Sequence, residues 1–478
     1  MASTSTGEDP DWRALWAGGD LGRFCFVSLG ILLHATNETM ISTIMPAMVR
    51  DLAGVSLVGW SFAIYELGAI VAGAAAGRMV SYITLRDNMA GAATIYAVGA
   101  LVCALAPTMP WLLAGRLVEG VGGGALVALA YVSVERLFPR TIWPQLFGVM
   151  SAIWGVAAFA GPLLGATISG AFGWRITFGV FAAGGFAMAA VSYLVLRTGR
   201  AAQVRDAGST PPFPYAALAI LGVAVILIAV AGVTERPALS ILLVAAGLAG
   251  LVLFLVADAR RPASRLFPSR PFAWTSRVGT GLTMVAAFST ATVSFSIYAP
   301  LLLSSLHGVS PLTTGWIIAS ESIAWSILSI LVAGARPRHE PAIIAAGALM
   351  ITGGIAGFAW AVPAGNVSVI LFCALLQGGG FGIAWPFVTR MIVADAIAGE
   401  STVAASSVPA MQRIGYAVGA ALAGIVANVS GFSRGLSGET AAGVASWLFV
   451  AFLPLAAIGC MAAFMLVRPP AANSSETR

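Results

Sequence analysis

Residues 111–131 read WLLAGRLVEGVGGGALVALAY, an apolar run with Arg116 and Glu119 near its middle. About 20 residues at about 1.5 Å rise cross the ~30 Å hydrocarbon layer of a bilayer, so the run is long enough to span one. A charge at that depth costs about 2.5–3.5 kcal/mol on insertion scales. Arg116 and Glu119 stand at i and i+3, so they share one helical face and can pair. Gly120, Gly122, Gly123 and Gly124 follow and let other helices come close. One polar face and one close-packing face imply that the rest of the chain encloses the polar face in a cavity.

The composition agrees. Of 478 residues, 59% are hydrophobic and 9% charged. Soluble domains carry about 25% charged residues. The net charge is +6, but no basic tail or aromatic-interleaved basic patch points to nucleic acid. Every basic residue is Arg, and without Lys there is no Walker P-loop, hence no nucleotide-driven transport by this chain, and no Schiff-base chemistry. Cys25, Cys103, Cys373 and Cys460 are scattered through apolar stretches, and His34, His307 and His339 are as dispersed. No disulfide framework, metal centre or cofactor is expected. The acidic, polar N-terminus has no signal-peptide pattern. Gly431–Gly435 formally fits a hydrolase elbow, but it falls in a loop between helical spans rather than at a strand-to-helix turn, so no enzyme is read here.

Hydropathy predicts fourteen spans, at 22–48, 56–79, 87–107, 110–134, 144–170, 175–197, 213–233, 238–258, 278–304, 312–335, 340–362, 367–390, 402–428 and 442–467. A cytoplasmic N-terminus leaves only Arg50, Arg175, Arg236 and Arg434 in outside segments. The other loop arginines all fall inside, and Arg116 and Arg413 lie within spans. Both termini are therefore expected in the cytoplasm of a bacterial inner membrane. The chain also repeats. RLVEGVGGG (116–124) in span 4 matches ALLQGGGFG (374–382) in span 12, with Gln377 at the place of Glu119. AGPLLGATISG in span 5 has its counterpart in VGAALAGIVANVSG of span 13. The simplest organisation is a tail (1–21), a six-helix bundle (22–197), a linker with two inserted helices (198–277), a second six-helix bundle (278–467) and a tail (468–478). Repeats of this kind build transporters with the site at their interface.

At these residues the chain resembles the major facilitator superfamily, specifically its fourteen-span drug:proton antiporters. Four motifs carry the resemblance. They are Asn37-Glu38-Thr39 to Pro46 with Arg50-Asp51-Leu52; Trp60 with Tyr65-x-Leu67; Leu113-x-x-Arg116-x-x-x-Gly120; and Gly161-Pro162-x-x-Gly165 followed by Trp174-Arg175-x-x-Phe178. The resemblance implies an all-α polytopic membrane protein of two six-helix bundles plus two inserted helices. Arg116 sits where the family's fourth-helix Arg is linked to proton coupling. Two positions depart from the pattern. Asn37 stands where the family has an acid and Glu38 follows it, turned by about 100° around the helix. Gly77 stands where an Asp is usual, beside Arg78 of the gate loop.

Glu38, Glu66, Glu119 and Glu321 are carboxylates deep in spans, and such acids mark proton or substrate paths by default. A carboxyl that passes between oil and water exchanges its proton as it does so. The competing reading is a permanently neutral or ion-paired structural acid. His34, one turn before Glu38, is a relay candidate or a packing histidine. Glu38, Glu119, Arg116, Glu66 and His34 are the expected proton-coupling set. Asn37, Glu38, Glu66, Trp154, Phe295, Tyr298, Glu321, Gln377, Trp385, Arg413 and Tyr416 are the expected substrate contacts, the aromatics suiting lipophilic cations or simply packing. Gly161, Pro162 and Gly165 would make span 5 a bent, close-packing helix at the moving interface.

The expected function is proton-coupled export of amphipathic, cationic small molecules by a monomer in the bilayer. Three alternatives remain open at this stage: export of one metabolite, siderophore or lipid; a non-transporting receptor or scaffold; and a pH-indifferent facilitator.

Overall fold

A computed structural model of the chain describes residues 20–52, 58–196, 212–234, 236–309, 311–431 and 438–468. Among these the backbone forms helices and turns, with no strand. Helices satisfy every backbone donor and acceptor internally, as a chain in lipid requires. In order they are α1 (Asp20–Leu52), α2 (Val58–Met79), α3 (Leu85–Ala104), α4 (Met109–Leu137), α5 (Trp143–Phe172), α6 (Trp174–Val195), α7 (Tyr215–Val233), α8 (Pro237–Ala259), α9 (Arg277–His307), α10 (Pro311–Val332), α11 (Glu340–Ala364), α12 (Val367–Ala394), α13 (Ser401–Val429), α14 (Gly438–Val450) and α15 (Leu453–Leu466), apart from single-turn 3-10 segments. Among the described residues 13 helical spans are long and apolar enough to cross a membrane, and Tyr215–Ala231 is a shorter apolar helix. The last expected span is not one continuous helix. It breaks at Ala451 and Phe452, where Pro454 opens α15; Pro has no N–H to continue a preceding helix. Most of both tails, most of the linker before α7, and Phe432–Gly435 of the elbow-like stretch lie outside the described residues.

The repeat in the sequence is a repeat in packing. Helix α4 lies on α2 and α3 as α12 lies on α10 and α11. Helix α3 meets α6 as α11 meets α14 and α15, and α1 meets α5 as α9 meets α13. The crossings match in detail. A Cβ on Gly120 would fall 2.1 Å from the Tyr65 carbonyl oxygen, and one on Gly378 would fall 2.0 Å from that of Glu321. Gly124 and Gly382 approach Ala69 and Trp325 in the same way, at 2.2 and 2.4 Å. Only glycine permits this backbone-to-backbone contact. The correspondence makes Tyr65 and Glu321 equivalent positions in the two bundles.

The bundles meet where α5 packs on α10 and α12, and where α13 packs on α2 and α4. Hydrogen bonds close this seam toward the end that carries Arg78, Arg136, Arg336 and Arg390, called here the arginine-rich end. Ser326 Oγ donates to the Ala152 carbonyl (3.1 Å) and Ser329 Oγ to that of Gly148 (3.1 Å). Ser401 Oγ and Thr402 Oγ1 donate to the Glu135 carboxylate (2.7 and 3.1 Å). At the opposite end of the first bundle, Trp174 Nε1 and Arg175 Nη1 donate to Asp51 (2.7 and 3.2 Å), tying α6 to α1. Of the inserted pair, α7 touches both α2 and α13, whereas α8 packs on α7 and α13. Ile228, Ala231, Val244 and Ala421 form a small core there, and Glu400 at the start of α13 accepts from Arg265 Nη1 and the Ser269 amide (3.0 Å each).

Gly77 now has a physical reason. A Cβ there would fall 1.9 Å from Ser406 Oγ on α13, next to the gate-loop Arg78. Gly77→Asp, which introduces the acid usual at this place, is expected to lower stability by about 1–3 kcal/mol through overpacking. The check is the melting temperature of the purified protein; an unchanged value would mean that α2 and α13 do not touch at this point.

Candidate functional site

The first half of the site is a knot inside bundle one. Arg116 Nη1 donates to Glu119 Oε2 and to Asn37 Oδ1 (2.7 Å each), and Asn37 Nδ2 donates to Glu119 Oε1 (2.7 Å). Arg116 Nε reaches the Ser61 carbonyl at 3.4 Å, and the guanidinium lies 3.9 Å over the Tyr65 ring. Arg116 is 1% exposed, and Glu119 and Asn37 are 0% exposed, so the charges are shut off from solvent in this state. The i,i+3 spacing on α4 makes the pair, and Asn37 on α1 completes it.

The one-residue step from Asn37 to Glu38 decides the second half. Asn37 faces the knot, and the next side chain is swung round toward the other bundle. There Arg413 of α13 crosses the interface. Its Nη1 donates to both oxygens of Glu66 (2.8 and 2.6 Å), and its Nη2 to Glu38 Oε2 (3.1 Å) and His34 Nε2. His34 Nε2 lies 3.3 Å from Glu38, and His34 Nδ1 shares a 2.7 Å hydrogen bond with the Tyr65 hydroxyl. Trp154 stands edge-on to His34 and 5.6 Å from the Arg413 guanidinium carbon. His34 is wholly buried, whereas the Glu38 and Glu66 side chains are 32% and 27% exposed. The polar knot and the cavity network are thus joined through Tyr65, which touches Arg116 by its ring and His34 by its hydroxyl.

A cavity of about 220 Å³ lies between the bundles. Glu38, Glu321, Trp154, Arg413 and Tyr416, all expected at the site, line it. Glu66 is bonded to Arg413 but is not among the residues that line the cavity. Gln377 is buried and donates to Glu321 Oε1 at 2.7 Å, so it holds the acid from behind. Other expected contacts fall elsewhere. Phe295 is buried in a 3.8 Å parallel stack with Phe358 of α11, and Trp385 is 2% exposed in a cluster with Trp325 and Phe381. Both are core residues of bundle two, placed by their apolar faces rather than by the cavity. Tyr298 points to Gly424 of α13, outside the lining. Gly161 and Gly165, flanking Pro162, approach α1 within their own bundle, where Thr39 Oγ1 donates to the Ala157 carbonyl (2.8 Å). The inter-bundle face of α5 is instead made by Gly148 and Gly155, which abut Ser329 and Ser322 of α10.

The lining also holds residues not expected as substrate contacts: Thr39, Tyr131, Ser322 and Gln412. Gln412 carried a legible signal, being a polar neighbour of Arg413 inside an apolar span and bonded one turn on to Tyr416 (2.9 Å). Tyr131 and Ser322 carried none, since each is ordinary within its own helix.

The family model described as the Major Facilitator Superfamily matches residues 27–408. The chain belongs to the Major Facilitator Superfamily. Among its relatives, a probable multidrug-efflux transporter of Mycobacterium tuberculosis is 31% identical over 97% of this chain and 98% of its own length. The multidrug transporter protein MdtP of Bacillus subtilis is 25% identical over 84% of this chain and 74% of its own. Two solved major facilitator folds align as well. The human organic anion transporter MFSD10 gives a TM-score of 0.68 at 15% identity, over 92% of this chain and 98% of that one. The proton:xylose symporter XylE gives 0.61 at 15%, over 92% and 93%. This chain is therefore a major facilitator transporter and not an enzyme, and it is a multi-pass membrane protein.

Proposed function

We propose that this transporter exports amphipathic, cationic small molecules in exchange for protons, by alternating access between bundles of residues 22–197 and 278–467. The observation that carries this reading is an inter-bundle cavity with carboxylates on both walls, Glu38 from α1 and Glu321 from α10, among the aromatic rings of Tyr131, Trp154, Trp325 and Tyr416. Carboxylate plus aromatic face is the chemistry that holds a lipophilic cation. The multidrug-efflux name of the Mycobacterium relative supports the direction, and the multidrug names of the Mycobacterium and Bacillus relatives support the breadth of substrate. The arginine-rich end is assigned to the cytoplasm of the inner membrane, with both termini on that side. The seam is closed at that end, so the cavity is read as facing outward, the state in which protons load Glu38 and release substrate. The working unit is taken as a monomer.

The test uses inverted membrane vesicles with an acid interior. Ethidium accumulation should be driven by the gradient in wild type and fall about tenfold in Glu38→Gln, a change of roughly 1.4 kcal/mol in the barrier. Accumulation indifferent to both the gradient and the substitution would remove proton coupling from the proposal.

A further inference from the structure

Every described hydrogen-bonding, ionic and ring partner of the Arg413 side chain belongs to the other bundle: Glu38 and His34 on α1, Glu66 on α2 and Trp154 on α5. A cation carried by bundle two is therefore shared by two acids of bundle one. On the same cavity wall Glu321 has one described partner, the neutral amide of Gln377, and no described cation. The acids that are paired hold a borrowed charge, and the acid of the bundle that lends it stands without one.

Resting on the cation-export reading above, we propose that Arg413 is a tethered stand-in for the substrate. In the empty transporter its guanidinium occupies the Glu38/Glu66 pair. An incoming lipophilic cation takes that pair, and Arg413 turns within its own bundle to Glu321, which lines the same cavity.

Three observations fit together in this arrangement. The Glu38 and Glu66 side chains are part exposed, so a second cation has a route of approach that does not require unfolding the site. Glu38 and Glu66 share one guanidinium, so Arg413, a substrate cation and protons compete for one place. The contact joins opposite bundles, so its rupture removes an inter-bundle tie when, and only when, something else holds the acids. A ligand shifts a conformational equilibrium only through its differential affinity for the two states, and displacement of an internal competitor supplies that difference.

The experiment is equilibrium binding of tetraphenylphosphonium to purified full-length protein in lipid nanodiscs, for wild type, Arg413→Gln, Glu321→Gln and the double variant. Arg413→Gln should bind about tenfold more tightly than wild type, because no competitor must be displaced. Glu321→Gln should bind more weakly than wild type, and that penalty should vanish in the Arg413→Gln background, a non-additivity that marks coupled residues. Unchanged or weaker binding by Arg413→Gln would overturn the proposal. So would a Glu321→Gln penalty of full size in both backgrounds, since Glu321 would then act on the probe independently of Arg413. If Arg413→Gln does not fold, Arg413→Lys serves in its place. It keeps the charge without the planar fork that spans two carboxylates, and it should bind a few-fold more tightly than wild type; no tightening counts against the proposal. Gradient-driven transport by wild type with no tightening in either Arg413 variant sinks this inference and leaves the exporter reading standing. Absence of any cation binding to wild type sinks both.

Discussion

Arg116→Ala should lower the stability of the protein by about 3–5 kcal/mol, the expected loss when one partner of a buried ion pair is removed. Glu119 is 0% exposed and its two oxygens are taken by Arg116 and Asn37. Deleting the guanidinium leaves a carboxylate with only neutral donors, the Asn37 amide and the Cys103 thiol, in a place shut off from solvent. The sharper comparison is the paired change Arg116→Leu with Glu119→Leu. Removing both charges with similar volume relieves the desolvation penalty, so the double variant should recover most of the lost stability. The readout is thermal unfolding of the purified protein. A single variant as stable as wild type would show that the knot is hydrated and not shut off.

The second large effect is on transport. Glu38→Gln combined with Glu66→Gln removes both acids that meet Arg413 across the interface. Gradient-driven export should fall about 100-fold, equivalent to roughly 2.7 kcal/mol in the barrier. The rate is to be normalised to folded protein, since Arg413 would then be left without a counter-charge. Retained export at a tenth of the wild-type rate or better would move coupling away from these two residues.

What the sequence discloses divides along physical lines. Spans, repeat and the Arg116–Glu119 pair are legible because they depend on composition and on spacing within one helix. The significance of Asn37 and Glu38 is half legible: the turn between adjacent residues is known, but not which direction leads to the knot and which to the cavity. Arg413 and Glu66 are 347 residues apart, and nothing local in either helix names the other. Phe295 and Trp385 show the same limit from the other side. An aromatic at mid-span is equally at home in a pocket or in a core, and only the inter-helix register decides. Pro162 shows the same limit, since a kink marks a bend but not which neighbour lies beside it; Gly161 faces α1, and Gly155 faces α10.

Side-dependent labelling puts the account to its most direct trial. Thr39→Cys, on the cavity wall beside Glu38, would be placed in a chain whose Cys25, Cys103, Cys373 and Cys460 are replaced. A membrane-impermeant thiol reagent is then applied from one face of sealed vesicles or the other. The account predicts reaction from the face opposite the arginine-rich end in the resting state, and reaction from the arginine-rich face under a substrate load with the pH gradient reversed. Labelling from one face alone under every condition would contradict it, because the acids would then never meet water on both sides.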